Sequence, residues 1–204
     1  MLKRISINHL NKIIKENPKW KILDIGCGYK AHPNATVIAD IQDLSSHYKD
    51  KNFIKINEKK LPFQDKEFDF IIASHVIEHI EDFEFFIKEL ERISSKGYIE
   101  LPSRLGDNLV FENKSDHIWW FFYDDVNSKL IVSKRNQILE PFITVSTAKL
   151  FEKIYRESLV IELLWEGKID YEIDNSIHQS EAEKISFFKL LKKYLSKKIR
   201  SFYK

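Results

Sequence analysis

Cysteine is almost absent. Cys27 is the only one in 204 residues, which excludes a disulfide framework and a cysteine-based zinc site. No stretch approaches the roughly 18 uncharged apolar residues that span a bilayer. The segment Met1-Leu2-Lys3-Arg4-Ile5 lacks the apolar run of a secretion signal. These absences point to a cytoplasmic protein. Internal repeats and low-complexity tracts are also lacking. Core-forming material is plentiful: 43% of residues are hydrophobic and 13% aromatic, enough for one domain with a sizeable core.

The net charge of +2 conceals an asymmetry. Residues 181–204 carry eight basic side chains against Glu181 and Glu183, a balance of +6, so residues 1–180 carry −4. An acidic body argues against a nucleic-acid groove. In the tail, Phe188, Leu191, Leu195, Ile199 and Phe202 recur at helical spacing among lysines. That pattern predicts a basic amphipathic helix able to lie on an anionic membrane through residues 184–204, to dock on a partner, or to cover the domain's own apolar surface. The expected organisation is a single domain over 1–180 and a tail helix over 181–204.

Within the domain, residues 6–16 read as a helix with Ser6 as cap and Pro18 beyond it. Strands are expected over 20–25, 36–39, 53–56, 68–73 and 98–101. Residues 81–95 read as a helix stopped by Gly97. This alternation indicates a parallel, doubly wound α/β sheet. The second half predicts a hairpin insertion over about 117–135, then a helix capped by Ser146 or Thr147. A second hairpin, 160–165 with 168–173, is expected around Glu166-Gly167.

Asp24-Ile25-Gly26-Cys27-Gly28 leaves a strand and enters a tight turn, where glycines allow close backbone approach to a ligand. Asp40, at the end of the next strand, is placed to accept hydrogen bonds from a ribose, or to cap a helix. Gly26, Gly28 and Ala31 also fit a dinucleotide fingerprint. However, Pro33 and Asn34 follow at once, leaving no room for the helix whose N-terminus would hold a pyrophosphate.

Three segments together resemble the type 11 group of class I S-adenosylmethionine-dependent methyltransferases: Ile22 to Gly28, Leu61-Pro62-Phe63-Gln64-Asp65-Lys66-Glu67-Phe68-Asp69, and Ala73-Ser74-His75-Val76-Ile77-Glu78-His79-Ile80. The resemblance covers roughly residues 20–102. It implies a Rossmann-like seven-stranded sheet with an antiparallel last strand, and S-adenosylmethionine as cofactor. By the same resemblance Asp24, Gly26 and Gly28 surround the methionine moiety and Asp40 binds the ribose. Asn57 takes the position of an adenine-binding Asp, and an Asn oxygen accepts the same hydrogen bond. Cys27, Ile41, Glu58, Ser74 and His75 complete the expected cofactor set.

His75-x-x-Glu78-His79 also matches an inverted zinc-protease motif. Those ligands need a long helix, whereas here they follow a strand, so no metal is expected. Methyl transfer requires positioning and, for a hydroxyl acceptor, a base. His117 is the first candidate and His75 the second. Trp119, Trp120 and His79 are candidates for lining the acceptor pocket, with core packing the alternative for the tryptophans. The expected reaction is methylation of a small molecule or glycan, on oxygen, with surface-polysaccharide synthesis implied by the resemblance. No Asn/Asp-Pro-Pro-Phe/Tyr motif of nucleic-acid amino-methylation occurs. The alternative is a scaffold or regulatory subunit of the same fold acting through its basic tail, and a less favoured one is an NAD(P)-binding protein.

Overall fold

A computed structural model of the chain describes residues 1–176, 182–184 and 186–202. The central sheet has seven strands: β1 (Leu2–Arg4), β2 (Ile22–Ile25), β3 (Val37–Asp40), β4 (Asn52–Lys55), β5 (Phe70–Ser74), β6 (Lys96–Pro102) and, after two strands of a smaller sheet, β9 (Val160–Glu166). Their spatial order is β1-β9-β6-β5-β2-β3-β4. Strands β2 to β6 pair in parallel, whereas β9 runs antiparallel to β6, as expected of the last strand of this sheet.

Both faces of the sheet are covered, which is why these strands read as short continuous apolar runs. The pleat sends alternate residues to opposite sides. Ile22, Ile72, Tyr98 and Leu164 pack with Leu10 and Ile14 of α1 (Ile7–Glu16). Leu23, Ile71, Ile99 and Leu163 pack with Phe83, Phe86, Ile87, Leu90 and Ile93 of α2 (Phe83–Ile93). Each helix starts where a side chain accepts an otherwise orphaned N–H: Ser6 from His9, Asp82 from Phe85.

The smaller sheet, in the order β10-β8-β7, joins the antiparallel hairpin of β7 (Trp119–Asp124) and β8 (Lys129–Lys134) to β10 (Tyr171–Ile173). Before it lie the short helices α3 (Arg104–Leu109) and α4 (Asn113–Asp116); after it comes α5 (Val145–Leu159). The tail forms α6 (Phe187–Phe202); of the segment 181–204 expected as a tail helix, residues 181, 185, 203 and 204 lie outside the described residues.

Three expectations need correction. Gly97 does not stop α2, which ends at Ser94; it lies inside β6, where a Cβ would stand 2.5 Å from the Ile71 carbonyl and 2.8 Å from Trp165 Nε1. Thr144, not Ser146 or Thr147, caps α5. The second hairpin does not form: β10 pairs in parallel with β8, because the edge of β9 it would need is occupied by β1. That N-terminal strand was not anticipated.

Candidate functional site

The chain leaves β2 to build β3 and β4 on one side, then returns to build β5 and β6 on the other. A crevice therefore opens at the carboxyl ends of β2, β3 and β5. Gly26 turns there with φ +67°, and a Cβ on it would stand 2.3 Å from Val76 Cγ2. Gly28 has φ +49°, yet nothing lies within 4 Å of its Cβ position. Gly26 thus permits close packing against the loop after β5, whereas Gly28 leaves an open cradle.

No helix follows Gly28 before β3. Side chains hold the loop instead. Gly28 N–H donates to Asp40 Oδ2 at 2.9 Å, and His32 N–H donates to Asp24 Oδ2 at 2.6 Å. The Tyr48 hydroxyl donates to Gly28 O at 2.8 Å and accepts Ala31 N–H at 2.9 Å. Asp40 Oδ1 takes Gln42 N–H, so neither expected role, ribose acceptor or helix cap, describes all of its bonding; each carboxylate oxygen retains a further lone pair.

Asp24, Asp40 and Glu100 are all buried. Burial, reinforced by Asp40 and Glu100 and opposed by His32 N–H and Lys51, pushes the Asp24 carboxyl up to about 6. Burial, with Asp24 and Asp40, likewise pushes the Cys27 thiol up to about 11, which leaves it inert as a nucleophile. A crevice lined by buried carboxylates repels a pyrophosphate and suits a ligand carrying positive charge. S-adenosylmethionine, with an ammonium and a sulfonium and no phosphate, fits this donor set; a dinucleotide does not.

Ser74 and His75 close the β5 side. Ser74 Oγ donates to Glu100 Oε1 at 3.0 Å. His75, at φ +54°, lies between two carboxylates, with Nδ1 3.1 Å from Glu78 Oε1 and Nε2 3.1 Å from Glu100 Oε1. Burial opposes charge on this ring, but the two carboxylates outweigh it and hold His75 protonated well above the usual histidine range. With both nitrogens engaged as donors, His75 is not a proton acceptor, and its reading as a second base is corrected to that of a hydrogen-bond donor. Glu100 continues inward to Tyr98, whose hydroxyl lies 2.6 Å from its Oε2, and to Arg156.

Opposite this, His117 follows α4. It is not a surface-loop histidine: its side chain is only 7% exposed, with Nδ1 2.5 Å from Asp107 Oδ1. Asp107 is fully buried, and its Oδ2 accepts from Trp120 Nε1 at 2.6 Å and Arg135 Nε at 2.7 Å. Ile118 N–H donates to Glu78 O at 2.8 Å, tying this segment to the single 3₁₀ turn Ile77–His79. The His79 and His117 rings meet edge to face, with centroids 4.6 Å apart.

Trp120 is buried and holds Asp107, so it does not line a pocket. Trp119 donates to Ile80 O at 2.9 Å and packs on Phe83. Among the other expected cofactor residues, Ile41 is 71% exposed beyond β3. Asn57 and Glu58 border a cavity of about 470 Å³ with Leu61, Pro62 and Phe63. Arg92 holds that last segment through the Leu61 and Phe63 carbonyls, at 3.1 and 2.7 Å.

Sequence reasoning missed Tyr48, Glu100, Asp107 and Arg135. Glu100, a lone charge inside the apolar run Tyr98 to Leu101, carried a signal, since such a residue needs a partner. Asp107 and Arg135 carried none.

Residues 23–99 match a family described as a methyltransferase domain, type 11. A ubiquinone biosynthesis O-methyltransferase of Pelagibacter ubique (strain HTCC1062) is 30% identical over 104 residues, covering 44% of this chain and 43% of that protein. The chain thus spans under half of that relative's length. Similar solved structures include an S-adenosylmethionine-dependent methyltransferase from Mesorhizobium loti (12% identity, TM-score 0.44, covering 77% of this chain and 96% of that one). Another is a protein from Pyrococcus horikoshii OT3 (19% identity, TM-score 0.43, covering 80% and 92%). The matched residues form the strand-end crevice itself, so over residues 23–99 the chain is similar to methyltransferase domains.

Proposed function

We propose that this protein transfers a methyl group from S-adenosylmethionine to a hydroxyl oxygen of a small-molecule or glycan acceptor. The observation that carries the reading is the open Gly28 backbone beside the buried Asp24 and Asp40 carboxylates, a cradle suited to a phosphate-free, cationic nucleoside. The oxygen acceptor draws support from the O-methyltransferase named above. Surface-polysaccharide synthesis is the substrate class that the family resemblance suggests.

When bound, S-adenosylmethionine supplies an electrophilic methyl group on a sulfonium. The chain's residues supply orientation and charge. In this reading Asp40 accepts from the ribose hydroxyls and Asn57 accepts from the adenine amino group. Asp24 and Glu100 stabilise positive charge, and Ser74 and the protonated His75 form the wall beside the methyl. His117, oriented through Nδ1 by Asp107, is the group assigned to the acceptor's hydroxyl. Well-aligned approach contributes about 7–11 kcal/mol to such a displacement.

Calorimetry with S-adenosylmethionine and S-adenosylhomocysteine tests the cradle. Both should bind, and binding of neither overturns the reading. His117→Ala should cut turnover by about 10²-fold or more while cofactor affinity holds. Unchanged turnover removes His117 from the reaction. Binding of both ligands without turnover on a panel of hydroxylated acceptors favours the scaffold reading, with the exposed apolar face of α6 as its contact surface.

A further inference from the structure

One buried polar atom stands without a hydrogen bond beside the acceptor side. Glu78 is fully buried. Its Oε1 faces His75 Nδ1, but its Oε2 accepts no hydrogen bond among the described residues. A buried carboxylate oxygen without a hydrogen bond is costly even where its twin is paired, as here with His75.

Two imidazoles stand beside it. One ligating atom from each of Glu78, His79 and His117 lies within 4.8 Å of the others. Both rings already use Nδ1 on an acceptor. His79 Nδ1 donates to the backbone carbonyl of Asp116 at 2.9 Å, because a carbonyl oxygen can only accept. His117 Nδ1 is bound by the Asp107 carboxylate. Nε2 is therefore the nitrogen available on each ring. An imidazole whose second nitrogen is fixed by a carbonyl or a carboxylate is the arrangement that metal-ligating histidines nearly always show. Two segments of chain supply the three ligands, and Ile118 N–H to Glu78 O at 2.8 Å fixes their spacing.

We propose that Glu78, His79 and His117 hold a divalent transition-metal ion of the zinc class, whose open coordination position takes the acceptor's hydroxyl oxygen. Two imidazoles and one carboxylate suit zinc, iron or cobalt, whereas magnesium favours all-oxygen sites. Three protein ligands leave a position for substrate. Around an ion about 2.1 Å away, tetrahedral ligands sit ~3.4 Å apart. The ligating atoms, which lie within 4.8 Å of one another, must draw in to that spacing, and His79 is the exposed member of the three.

The role of the ion rests on the methyl-transfer reading; its existence does not. A cation lowers the pKa of a coordinated hydroxyl strongly, as it does that of water. His117 then meets the hydroxyl through the ion instead of as a free base, and the acceptor's O–H bond breaks with its proton passing to solvent. The oxygen pair forms the new O–CH₃ bond, and the S–CH₃ pair stays on sulfur as a neutral thioether. Glu78 joins the two halves of the site, since its other oxygen meets His75 at the end of β5. His75 is spent on two carboxylates, so the third ligand of the proposed site is His117.

The test is titration of the chelator-treated protein with Zn²⁺ by calorimetry, and with Co²⁺ by visible absorption, in the absence of cofactor. One equivalent per chain is expected, with the Co²⁺ band intensity of a four-coordinate site. His79→Ala and the near-isosteric Glu78→Gln should each weaken binding by tenfold or more, with the thermal transition of each variant confirming that it folds. Asp107→Asn, if folded, should weaken it by about ten- to a hundred-fold through His117. No uptake by the folded protein, or uptake undiminished in both His79→Ala and Glu78→Gln, overturns the proposal. Metal binding without S-adenosylmethionine binding upholds the site and overturns only the methyl-transfer reading. Cofactor binding without metal uptake does the reverse.

Discussion

Asp24 stands among opposed charges. Lys51 precedes β4, Asp40 ends β3, Glu100 faces it from β6, and His32 and Cys27 lie on its own loop. Its carboxyl is raised from an ordinary 3.8 to about 6, so the folded state favours the protonated form. The stability this contributes is fully present below about pH 4 and is lost as pH rises through 6. Asp24→Asn should therefore raise the thermal midpoint at pH 7.5, by an amount corresponding to about 2 kcal/mol or less, and leave it nearly unchanged at pH 4. Its effect on function runs the other way. Ionised Asp24 attracts a cationic ligand, so affinity for S-adenosylmethionine should fall when pH drops from 7.5 to 5.5. In Asp24→Asn, calorimetry should find weaker binding with little dependence on pH across that range. A variant that binds as tightly as the parent would remove Asp24 from the cradle.

Elements read well from the sequence where their causes are local. Strands β2, β3 and β6 are short, largely apolar runs bounded by Gly26, Asp40 and Pro102, and both long helices of the first half carry a cap one residue before they start. The strand-end crevice was legible for the same reason: Asp24 to Gly28 and Asp40 lie on consecutive strand ends. Reading failed where a distant segment decides. The turn at Gly167 is real, with φ +77°, yet β10 swings away to β8. The Glu78, His79 and His117 cluster was invisible because a backbone bond across some 40 residues assembles it. Gly97 illustrates the same limit, since its requirement is set by Ile71 and Trp165 rather than by α2. Gly97→Ala should cost about 1–3 kcal/mol in urea unfolding, because a backbone carbonyl cannot move aside as a flexible side chain can. A loss under a few tenths would show that β5 and β6 can separate slightly at no cost.

At the scale of the whole molecule, charge and apolar surface separate. Phe188, Leu191, Tyr194, Leu195 and Ile199 of α6 are exposed, so the tail does not cover the domain's own surface with them. Among the described residues no helix is long and apolar enough to cross a membrane. We infer contact with an anionic lipid surface, because basic side chains alternate with the apolar ones along that helix. The protein should sediment with vesicles containing phosphatidylserine at low salt, and less so as salt rises. Removing residues 182–204 should abolish this while S-adenosylmethionine binding persists. Equal sedimentation with neutral vesicles would refute the electrostatic part.

The strand that was not anticipated has a temporal consequence. Leu2 faces Trp165 and Arg4 faces Leu163 in β1's pairing with β9, and the Tyr123 hydroxyl donates to Leu2 O at 2.8 Å. During synthesis Leu2–Arg4 leaves the ribosome long before residues 160–166 exist, so a strand made early is among the last to find its place. The five parallel strands can assemble vectorially as they emerge, but the sheet cannot be finished until nearly the whole domain has been translated. In the interval the apolar Leu2 has no docking site, and the growing chain presents an unfinished edge at β6. Amide protection during refolding should accordingly rise in β2 and β5 before it rises in β1 and β9.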